Sequence, residues 1–424
     1  MKRKIDIVLE KWKKDINKKP LVLYGSKQVG KTYSALKFGE ENYKNVAYFN
    51  TTNNIELYKI FKKEKTIDRI ISRLVVLSNE TISEDDTLIV FDNVNDSEIV
   101  SGIKLFGRNK NNYHIIVITS LKENLKKFKG EELQFRMMTS LDFEEYLEAI
   151  NNTQLIEFIK SSFKNNSPMP FHSIALEYFE NYLMTGGMPE AVELSLRDNN
   201  ILLLNSVFEK IFDCYKKEIS ELDNLIDITR SIEVLDSIPF QLQKPNKKFQ
   251  YGLIKTGGRS KEYEKAISFL YNNSFVYKSY KISEVKSPLS TVRDLDNFKL
   301  YFNDTGILFS KMFLNKIKFL SDDRIKSILI ENAIAISLIN AGFNLYYYQS
   351  EGKAEVSFVI QNRIGKVIPI ELVNKNMSKA KALTLFMTKY NIKEAVRVTE
   401  DNFSLKKGIK YIPIYAIFCL KEYL

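Results

Sequence analysis

The sequence predicts an α/β protein whose N-terminal part forms a parallel sheet covered by helices. The first observation is a short apolar strand, residues 21–24, followed by a glycine-containing loop and then by a helical pattern. The second is that later strand patterns alternate with helical stretches, which favours parallel strands. The third is that two of these strands end in polar residues, Asp92 and Ser120. Polar residues at the carboxyl edge of a parallel sheet predict a binding site there.

The loop after the first strand carries a phosphate-binding motif. Residues 25–32 read Gly-Ser-Lys-Gln-Val-Gly-Lys-Thr and fit the pattern G-x-x-x-x-G-K-[ST]. The two glycines permit backbone angles that turn successive N–H groups towards a phosphate, and the following helix adds its positive end. We expect Lys31 to reach the β- and γ-phosphates of ATP and Thr32 to ligate Mg²⁺. The nucleotide-binding residues predicted in this loop are Gly25, Ser26, Lys27, Gln28, Val29, Gly30, Lys31 and Thr32.

The elements around the loop follow in order. An amphipathic helix is predicted over residues 5–18, and its apolar side consists of Ile5, Val8, Leu9, Trp12 and Ile16. Strand patterns occupy residues 46–50, 87–92 and 113–120. The strand 87–92 closes with Asp92, which we expect to hold the magnesium shell through water. Ser120 is predicted to contact the γ-phosphate or the attacking water.

Asn93 occupies the position that decides the expected rate of ATP hydrolysis. Many ATPases with this pair of motifs place a glutamate directly after the magnesium-linked aspartate, as the base for water. An amide orients water but accepts no proton. General-base catalysis is typically worth about 10²–10⁴-fold, which corresponds to roughly 3–5 kcal/mol of barrier. The predicted catalytic residues Lys31, Asp92 and Asn93 therefore indicate ATP binding with slow turnover, unless a nearby acid such as Asp96 substitutes.

Composition narrows the class of protein. The chain has 424 residues, which predicts several domains, and a formal net charge of +11, which suits a nucleic-acid partner without being specific for one. Two cysteines and two histidines are too few for a disulfide framework, a zinc cluster or a histidine-based metal site. The lack of long apolar runs predicts no membrane span, and the acidic residues near the N-terminus argue against a signal peptide. We expect a cytoplasmic protein.

Residues 140–222 are mostly helical in pattern. Residues 223–318 mix helices with a two-stranded hairpin, predicted at 274–280 and 298–302. The pair Gly186-Gly187 breaks the first region and indicates either a lid beside the nucleotide or a purely structural turn. In the second region, basic and aromatic residues interleave, which suits phosphate and base contacts on DNA or a solvated charged face. These residues are Lys244, Lys247, Lys248, Lys255, Arg259 and Lys261, with Phe249 and Tyr251.

With these motifs, the chain resembles the bacterial and archaeal AAA-type ATPases that carry a C-terminal domain of unknown function, DUF4143. The resemblance covers nearly the whole chain and rests on several separated motifs in order, 25–32, 140–146, 186–191, 238–242, 298–308 and 355–360. It implies a P-loop ATPase core at 1–139, a helical lid at 140–222, a winged-helix-like segment at 223–318 and a restriction-endonuclease-like domain at 319–424.

The last domain lacks parts of the nuclease chemistry. Such a nuclease needs an acid on one strand and Glu-x-Lys on the next, because carboxylates hold Mg²⁺ and the lysine prepares water. Ser357 stands where the acid is expected and Val373 where the lysine is expected, so Glu331 and Glu371 remain. Lys375 or Lys379 are the candidates to replace the missing amine. We expect a degenerate nuclease fold without cleavage.

The sequence therefore predicts a weak ATPase that acts as a nucleotide-dependent switch with DNA or a protein partner, without a membrane partner and with oligomerisation left open. The alternatives are an ATP-gated DNA nuclease and a non-enzymatic scaffold that ATP holds together. A small-molecule kinase would leave the C-terminal domain unexplained.

Overall fold

The structure is a computed structural model that describes residues 1–109, 111–120, 128, 130–198, 200–221, 224–312, 316–350, 355–373 and 382–423. The chain divides into two compact units. The first comprises Met1–Thr139 with Asn272–Ser274, and the second comprises Ser140–Tyr271 and Phe275–Leu424. None of the helices described is both long enough and apolar enough to cross a bilayer.

The first unit contains a five-stranded sheet in the order β2-β3-β4-β1-β5, and each neighbouring pair is parallel. This arrangement confirms the predicted parallel sheet and places β4 between β1, which precedes the phosphate loop, and β3, which ends in Asp92. The strands are β1 (Leu21–Tyr24), β2 (Asn45–Asn50), β3 (Thr87–Asp92), β4 (His114–Thr119) and β5 (Gln134–Met137).

Among the described residues, five α-helices accompany this sheet: α1 (Lys4–Lys14), α2 (Lys31–Asn42), α3 (Ile55–Lys63), α4 (Ile67–Ser78) and α5 (Ser97–Arg108). The core contains apolar strand residues such as Val22, Ile89 and Val117, against which helical residues pack. Burial of these side chains supplies the main stabilisation of the unit. The predicted end of the first helix was wrong, because α1 stops at Lys14 and Ile16 is 95% exposed.

The second unit combines a helical region with a mixed sheet. Its helices are α6 (Phe143–Ala149), α7 (Thr153–Asn165), α8 (His172–Thr185), α9 (Pro189–Arg197), α10 (Ile201–Ser220), α11 (Leu225–Gln243), α12 (Ser260–Asn272), α13 (Thr305–Lys311), α14 (Lys316–Ser321), α15 (Asp323–Asn340) and α16 (Ala382–Lys389). In the described part of this unit, 3-10 segments occupy Tyr251–Leu253, Leu289–Thr291 and Ile414–Tyr423.

The eight strands of the second unit form one sheet in the order β12-β13-β11-β10-β9-β8-β6-β7. They are β6 (Val276–Ile282), β7 (Arg293–Phe302), β8 (Leu345–Gln349), β9 (Glu355–Gln361), β10 (Val367–Leu372), β11 (Ala395–Thr399), β12 (Ser404–Lys406) and β13 (Ile409–Pro413). The antiparallel pair β6–β7 is the hairpin expected in the winged-helix-like segment, and β6 pairs in parallel with β8. The hairpin therefore continues the sheet that β8 forms with the later strands.

Three motifs that lie far apart in the sequence meet at Asp304. Its carboxylate accepts hydrogen bonds from the N–H of Gly187 at 2.8 Å and, at the start of α13, from the N–H of Gly306 at 2.9 Å. Gly186 has φ +68°, and a Cβ there would lie 2.1 Å from Asp304 Oδ1. Leu141 N–H donates to the Gly187 carbonyl at 2.7 Å. These contacts give the predicted glycine break a structural role within the second unit.

Candidate functional site

The phosphate loop leaves β1 in a conformation that requires glycine. Gly25 has φ +146°, and a Cβ on it would lie 2.0 Å from the carbonyl oxygen of Met138, which follows β5. Gly30 caps α2 with φ 91°, in the left-handed region that glycine adopts at little cost. Gln28 also has a positive φ, 68°. The loop is therefore shaped by both glycines that the motif places there.

Lys31 lies at the first position of α2 and is only 7% exposed. Its Nζ donates to the carbonyl oxygens of Gly25 at 2.9 Å and Ser26 at 2.7 Å. The ammonium group is thus held inside the loop that precedes its own helix. A cation at the N-terminus of a helix suits a phosphate group.

The phosphate loop and the acidic strand are joined by a hydrogen bond. Thr32 Oγ1 donates to Asp92 Oδ2 at 2.8 Å, and Asp92 is 4% exposed. A hydroxyl and a carboxylate side by side are hard oxygen donors, which Mg²⁺ prefers. The residues predicted to hold Mg²⁺ are therefore brought together and fit the ion. In such a site the ion would neutralise charge on the nucleotide phosphates.

Asn93 follows Asp92 with φ 60°, in the left-handed region. Its N–H donates to Asp92 Oδ1 at 2.8 Å, and its carbonyl accepts from the Thr51 hydroxyl at 2.8 Å. Asparagine tolerates this backbone region better than most side chains do. Asp96, the nearby acid, instead caps α5 by accepting from the N–H of Glu98 at 2.7 Å.

The end of β4 lies beside the start of the loop, because Thr119 pairs with Tyr24. Ser120 follows directly and is half-buried. Thr119 is fully buried, and its hydroxyl has no hydrogen-bond partner within the part of the chain that the structure describes. The sequence singled out Ser120 and passed over Thr119, although both hydroxyls stand at the same strand end.

Arg3 is a contact of the phosphate loop that sequence reasoning missed. Its side chain is 7% exposed and donates to the carbonyl oxygens of Val29 at 3.0 Å and Thr139 at 2.8 Å. It therefore connects the loop to Thr139, which follows β5 in the first unit. The run Met-Lys-Arg-Lys carries no signal that distinguishes Arg3 from its basic neighbours.

Tyr48 is a second contact that the sequence did not indicate. This residue of β2 donates its hydroxyl to Asp92 Oδ2 at 2.9 Å. Burial and the neighbouring Asp92 carboxylate together raise the pKa of the Tyr48 hydroxyl to about 12. The hydroxyl therefore remains a hydrogen-bond donor at neutral pH.

The basic segment of the second unit differs from its predicted arrangement. Lys247 forms an ion pair with Glu331, and Phe249 is 3% exposed and stacks on Phe298. Neither side chain is therefore available for nucleic acid as the sequence predicted. Tyr251 is half-buried with its ring against Phe249. The exposed cations of the segment are Lys244, Lys255, Arg259 and Lys261, and Lys248 is half-buried.

The carboxylates that the sequence assigned to a nuclease-like domain are engaged by cations. Glu331, on α15, pairs with Lys247 and with the fully buried Lys299 and accepts from the Tyr301 hydroxyl at 2.7 Å. Burial alone raises the pKa of Glu331, but Lys247 and Lys299 together lower it to about 2. Lys299 also pairs with Glu355 on β9. Glu331, one of the two carboxylates that remain of the expected nuclease pattern, is thus part of a buried network of ion pairs.

Glu371, on β10, is held by a different cation. Arg397 donates to Glu371 Oε2 through Nε at 2.9 Å and Nη2 at 2.6 Å, and its Nη1 donates to the Tyr411 hydroxyl. Ser357 Oγ accepts from the Leu372 N–H at 3.3 Å. Lys375 and Lys379 lie outside the described residues. Within those residues, no group of three or more histidine, cysteine, aspartate or glutamate side chains is placed to hold a metal ion.

Three domain families match the chain. Residues 17–147 match the AAA domain, residues 176–316 match a domain of unknown function, DUF8612, and residues 326–417 match a second one, DUF4143. No curated protein matches the sequence. The AAA match makes the first unit an ATP-binding domain of the ATPase type.

Two solved structures show weak similarity. A Walker-type ATPase of Pyrococcus abyssi is 14% identical with a TM-score of 0.43, over 73% of this chain and 95% of that one. The helicase domain of Pyrococcus furiosus Hef is 12% identical with a TM-score of 0.20, over 99% of this chain and 92% of that one. The AAA and DUF4143 matches together agree with the sheet order and the loop geometry. The chain therefore combines an AAA domain, which contains the phosphate loop, with a C-terminal DUF4143 domain.

Proposed function

We propose that the protein binds ATP with Mg²⁺ at the carboxyl edge of the first sheet, hydrolyses it slowly, and acts as a nucleotide-dependent switch with a nucleic-acid or protein partner. The observation that supports the site best is the joined pair of motifs. Lys31 is enclosed by the carbonyl groups of its own loop, and Thr32 donates to Asp92. Loop and acid are thereby arranged for a nucleotide phosphate and its cation.

Slow turnover follows from the residue after Asp92. Asn93 is an amide, and Asp96 already accepts hydrogen bonds from α5. A base worth about 10²–10⁴-fold is therefore missing from the position where this chemistry commonly has one. A protein that holds ATP for long periods suits a switch better than a motor, because its state then changes on binding and exchange.

The proposed site is tested by replacing the loop lysine. Lys31→Ala should weaken ATP binding roughly 10- to 100-fold, because charged hydrogen bonds to the phosphates are lost, each worth about 1.5–3 kcal/mol. Isothermal titration calorimetry of ATP with Mg²⁺ measures this loss. Lys37→Ala is the matched control, since Lys37 lies on the same helix and pairs with Glu41 on the helix surface.

The control should bind ATP as the wild type does, and both variants should melt near the wild-type temperature. Undiminished ATP affinity in Lys31→Ala would remove the site from these residues. A loss of affinity in Lys37→Ala of similar size would attribute the effect to the helix rather than to the phosphate contact.

The ATP-gated nuclease is the second candidate function, and the contacts of its carboxylates disfavour it. Glu331 is paired with Lys247 and Lys299, and Glu371 with Arg397. A carboxylate that already neutralises a cation is a poor ligand for a second one. The scaffold alternative agrees with the ATP site but leaves the Asp92–Thr32 arrangement without a catalytic role.

A further inference from the structure

The Asp92 carboxylate accepts hydrogen bonds from three donors. Oδ1 accepts from the Asn93 N–H at 2.8 Å. Oδ2 accepts from the Thr32 hydroxyl at 2.8 Å and from the Tyr48 hydroxyl at 2.9 Å. Thr32 belongs to the phosphate-loop motif and Asn93 follows Asp92 in sequence. Tyr48 belongs to neither motif, so its hydrogen bond to Asp92 calls for its own explanation.

The strand does not need a tyrosine at position 48. In β2 the neighbours Ala47 and Phe49 are buried, whereas Tyr48 is 39% exposed, as the alternation of a strand dictates. Tyr48 pairs with Val90, two residues before Asp92 on the adjacent strand, and its long side chain reaches the carboxylate. A phenylalanine would satisfy the strand equally well. The specific contribution of Tyr48 is therefore its hydroxyl.

An ionised carboxylate offers about four acceptor positions, two on each oxygen. The Thr32 and Tyr48 hydroxyls occupy both positions on Oδ2, and the Asn93 N–H occupies one on Oδ1. One position is left for the hydration shell of a magnesium ion. Within the described residues Asp92 forms no ion pair. The negative charge of its carboxylate is therefore stabilised by these three hydrogen-bond donors.

We propose that the Tyr48 hydroxyl gates the magnesium site, occupying an acceptor position of Asp92 and so lowering the affinity of the site for Mg²⁺. This inference rests on the proposed ATP–Mg²⁺ function. Because the Asp92 carboxylate is buried, bulk water does not replace the Tyr48 hydroxyl at this acceptor position. Removing the Tyr48 hydroxyl frees one acceptor position on Asp92. The carboxylate can then bind the hydrated Mg²⁺ ion more tightly.

The test compares Tyr48→Phe with the wild type in the full chain. A fluorescent ATP analogue is titrated first in EDTA and then at rising Mg²⁺ concentrations. In Tyr48→Phe the half-saturating Mg²⁺ concentration should fall about five- to tenfold, as expected for the loss of one competing hydrogen bond. Affinity for the nucleotide in EDTA should not change. Tyr58→Phe makes the same chemical change on α3 and should leave both values as in the wild type.

A second comparison asks whether the effect passes through Asp92. In an Asp92→Asn background, Tyr48→Phe should no longer lower the Mg²⁺ requirement, because the shared carboxylate is gone. An unchanged or raised half-saturating Mg²⁺ concentration in Tyr48→Phe contradicts the proposed role of the Tyr48 hydroxyl. The proposal also fails if Tyr48→Phe still lowers this concentration in the Asp92→Asn background. Wild-type protein that binds no nucleotide overturns the proposed function and the gate together, whereas binding with an unaltered Mg²⁺ response in Tyr48→Phe overturns the gate alone.

Discussion

At position 93 the backbone and the side chain impose separate requirements. The residue has φ 60°, where asparagine is among the best tolerated side chains, and its backbone groups hold Asp92 and Thr51. A glutamate would add a proton acceptor but would cost about 1 kcal/mol in this conformation. Asn93 therefore suits the backbone conformation of the turn, but its amide side chain cannot act as a general base.

Asn93→Glu should raise steady-state ATP hydrolysis at least tenfold, because it supplies the base that the site lacks. A phosphate-release assay measures the rate. Asn93→Gln is the matched control, since it carries the longer side chain and the backbone cost but no base, and it should hydrolyse ATP no faster than the wild type. Wild-type turnover of many ATP molecules per second without a partner would show that another base exists.

Sequence patterns located the motif residues, because phosphate loops and acidic strand ends are local in sequence. They did not locate Arg3 or Tyr48, whose partners lie 26 and 44 residues away in the chain. Neither side chain belongs to a spacing pattern, and arginines and tyrosines elsewhere in the chain give the same local signal. The positive φ of Asn93 likewise depends on how the chain leaves β3.

At the scale of elements, the strands 21–24 and 87–92 were predicted with their observed ends, because each is a continuous apolar run. The strand β5 was missed, since Gln134–Met137 is short, only half-buried and contains Arg136. It forms because its backbone pairs with β1, a partner more than 100 residues earlier. Non-local pairing of this kind leaves little trace in a single sequence.

The basic segment before α12 remains the candidate for nucleic acid. Since Lys247 is engaged by Glu331, the cations to neutralise are Lys248, Lys255 and Arg259. Replacing these three by glutamine should weaken binding to duplex DNA and reduce the slope of log affinity against log salt by about 2.7. Fluorescence anisotropy at several salt concentrations measures the slope.

The control for that experiment neutralises three exposed lysines of the first unit, Lys62, Lys63 and Lys65. This variant has the same net charge and should keep a steeper slope. Equal slopes in the two variants would mean that the overall charge of the protein binds DNA, and a slope unchanged from the wild type would move the contacts away from the segment.

At the scale of the whole molecule, the acids that the sequence assigned to a nuclease-like domain form other contacts in the second unit. Incubation of the protein with single- and double-stranded DNA, Mg²⁺ or Mn²⁺, with and without ATP, should give no cleavage products on a gel. The reason is that Glu371 is held by Arg397 and that Ser357 offers Mg²⁺ no charged oxygen.

Cleavage that vanishes in Glu371→Ala would replace this interpretation with the ATP-gated nuclease. Glu394→Ala is the control, because Glu394 forms an exposed ion pair with Lys366 and should not affect any cleavage. Cleavage that persists in both variants would indicate a contaminating nuclease.

Local strand patterns could be predicted from the sequence, whereas the contacts between distant segments could not. The predicted hairpin corresponds to β6 and β7. The pairing of β6 with β8 joins this hairpin to the later strands of the sheet. The charged network around Glu331 draws on α15, β7 and β9, together with Lys247 from the segment after α11. These charged residues meet only because distant segments pack together. Their spacing in the sequence gives no recognisable pattern.

The contacts of Asp304 have a practical consequence for anyone who divides the gene. A fragment that covers only residues 176–316, the extent of one family match, retains Asp304 and Gly187 but loses Leu141, the donor to the Gly187 carbonyl. It also separates Lys247 from Glu331, which would strand a buried carboxylate in the remaining piece. Boundaries drawn from family matches are therefore poor places to cut, and expression trials should carry residues 140–424 as a single piece.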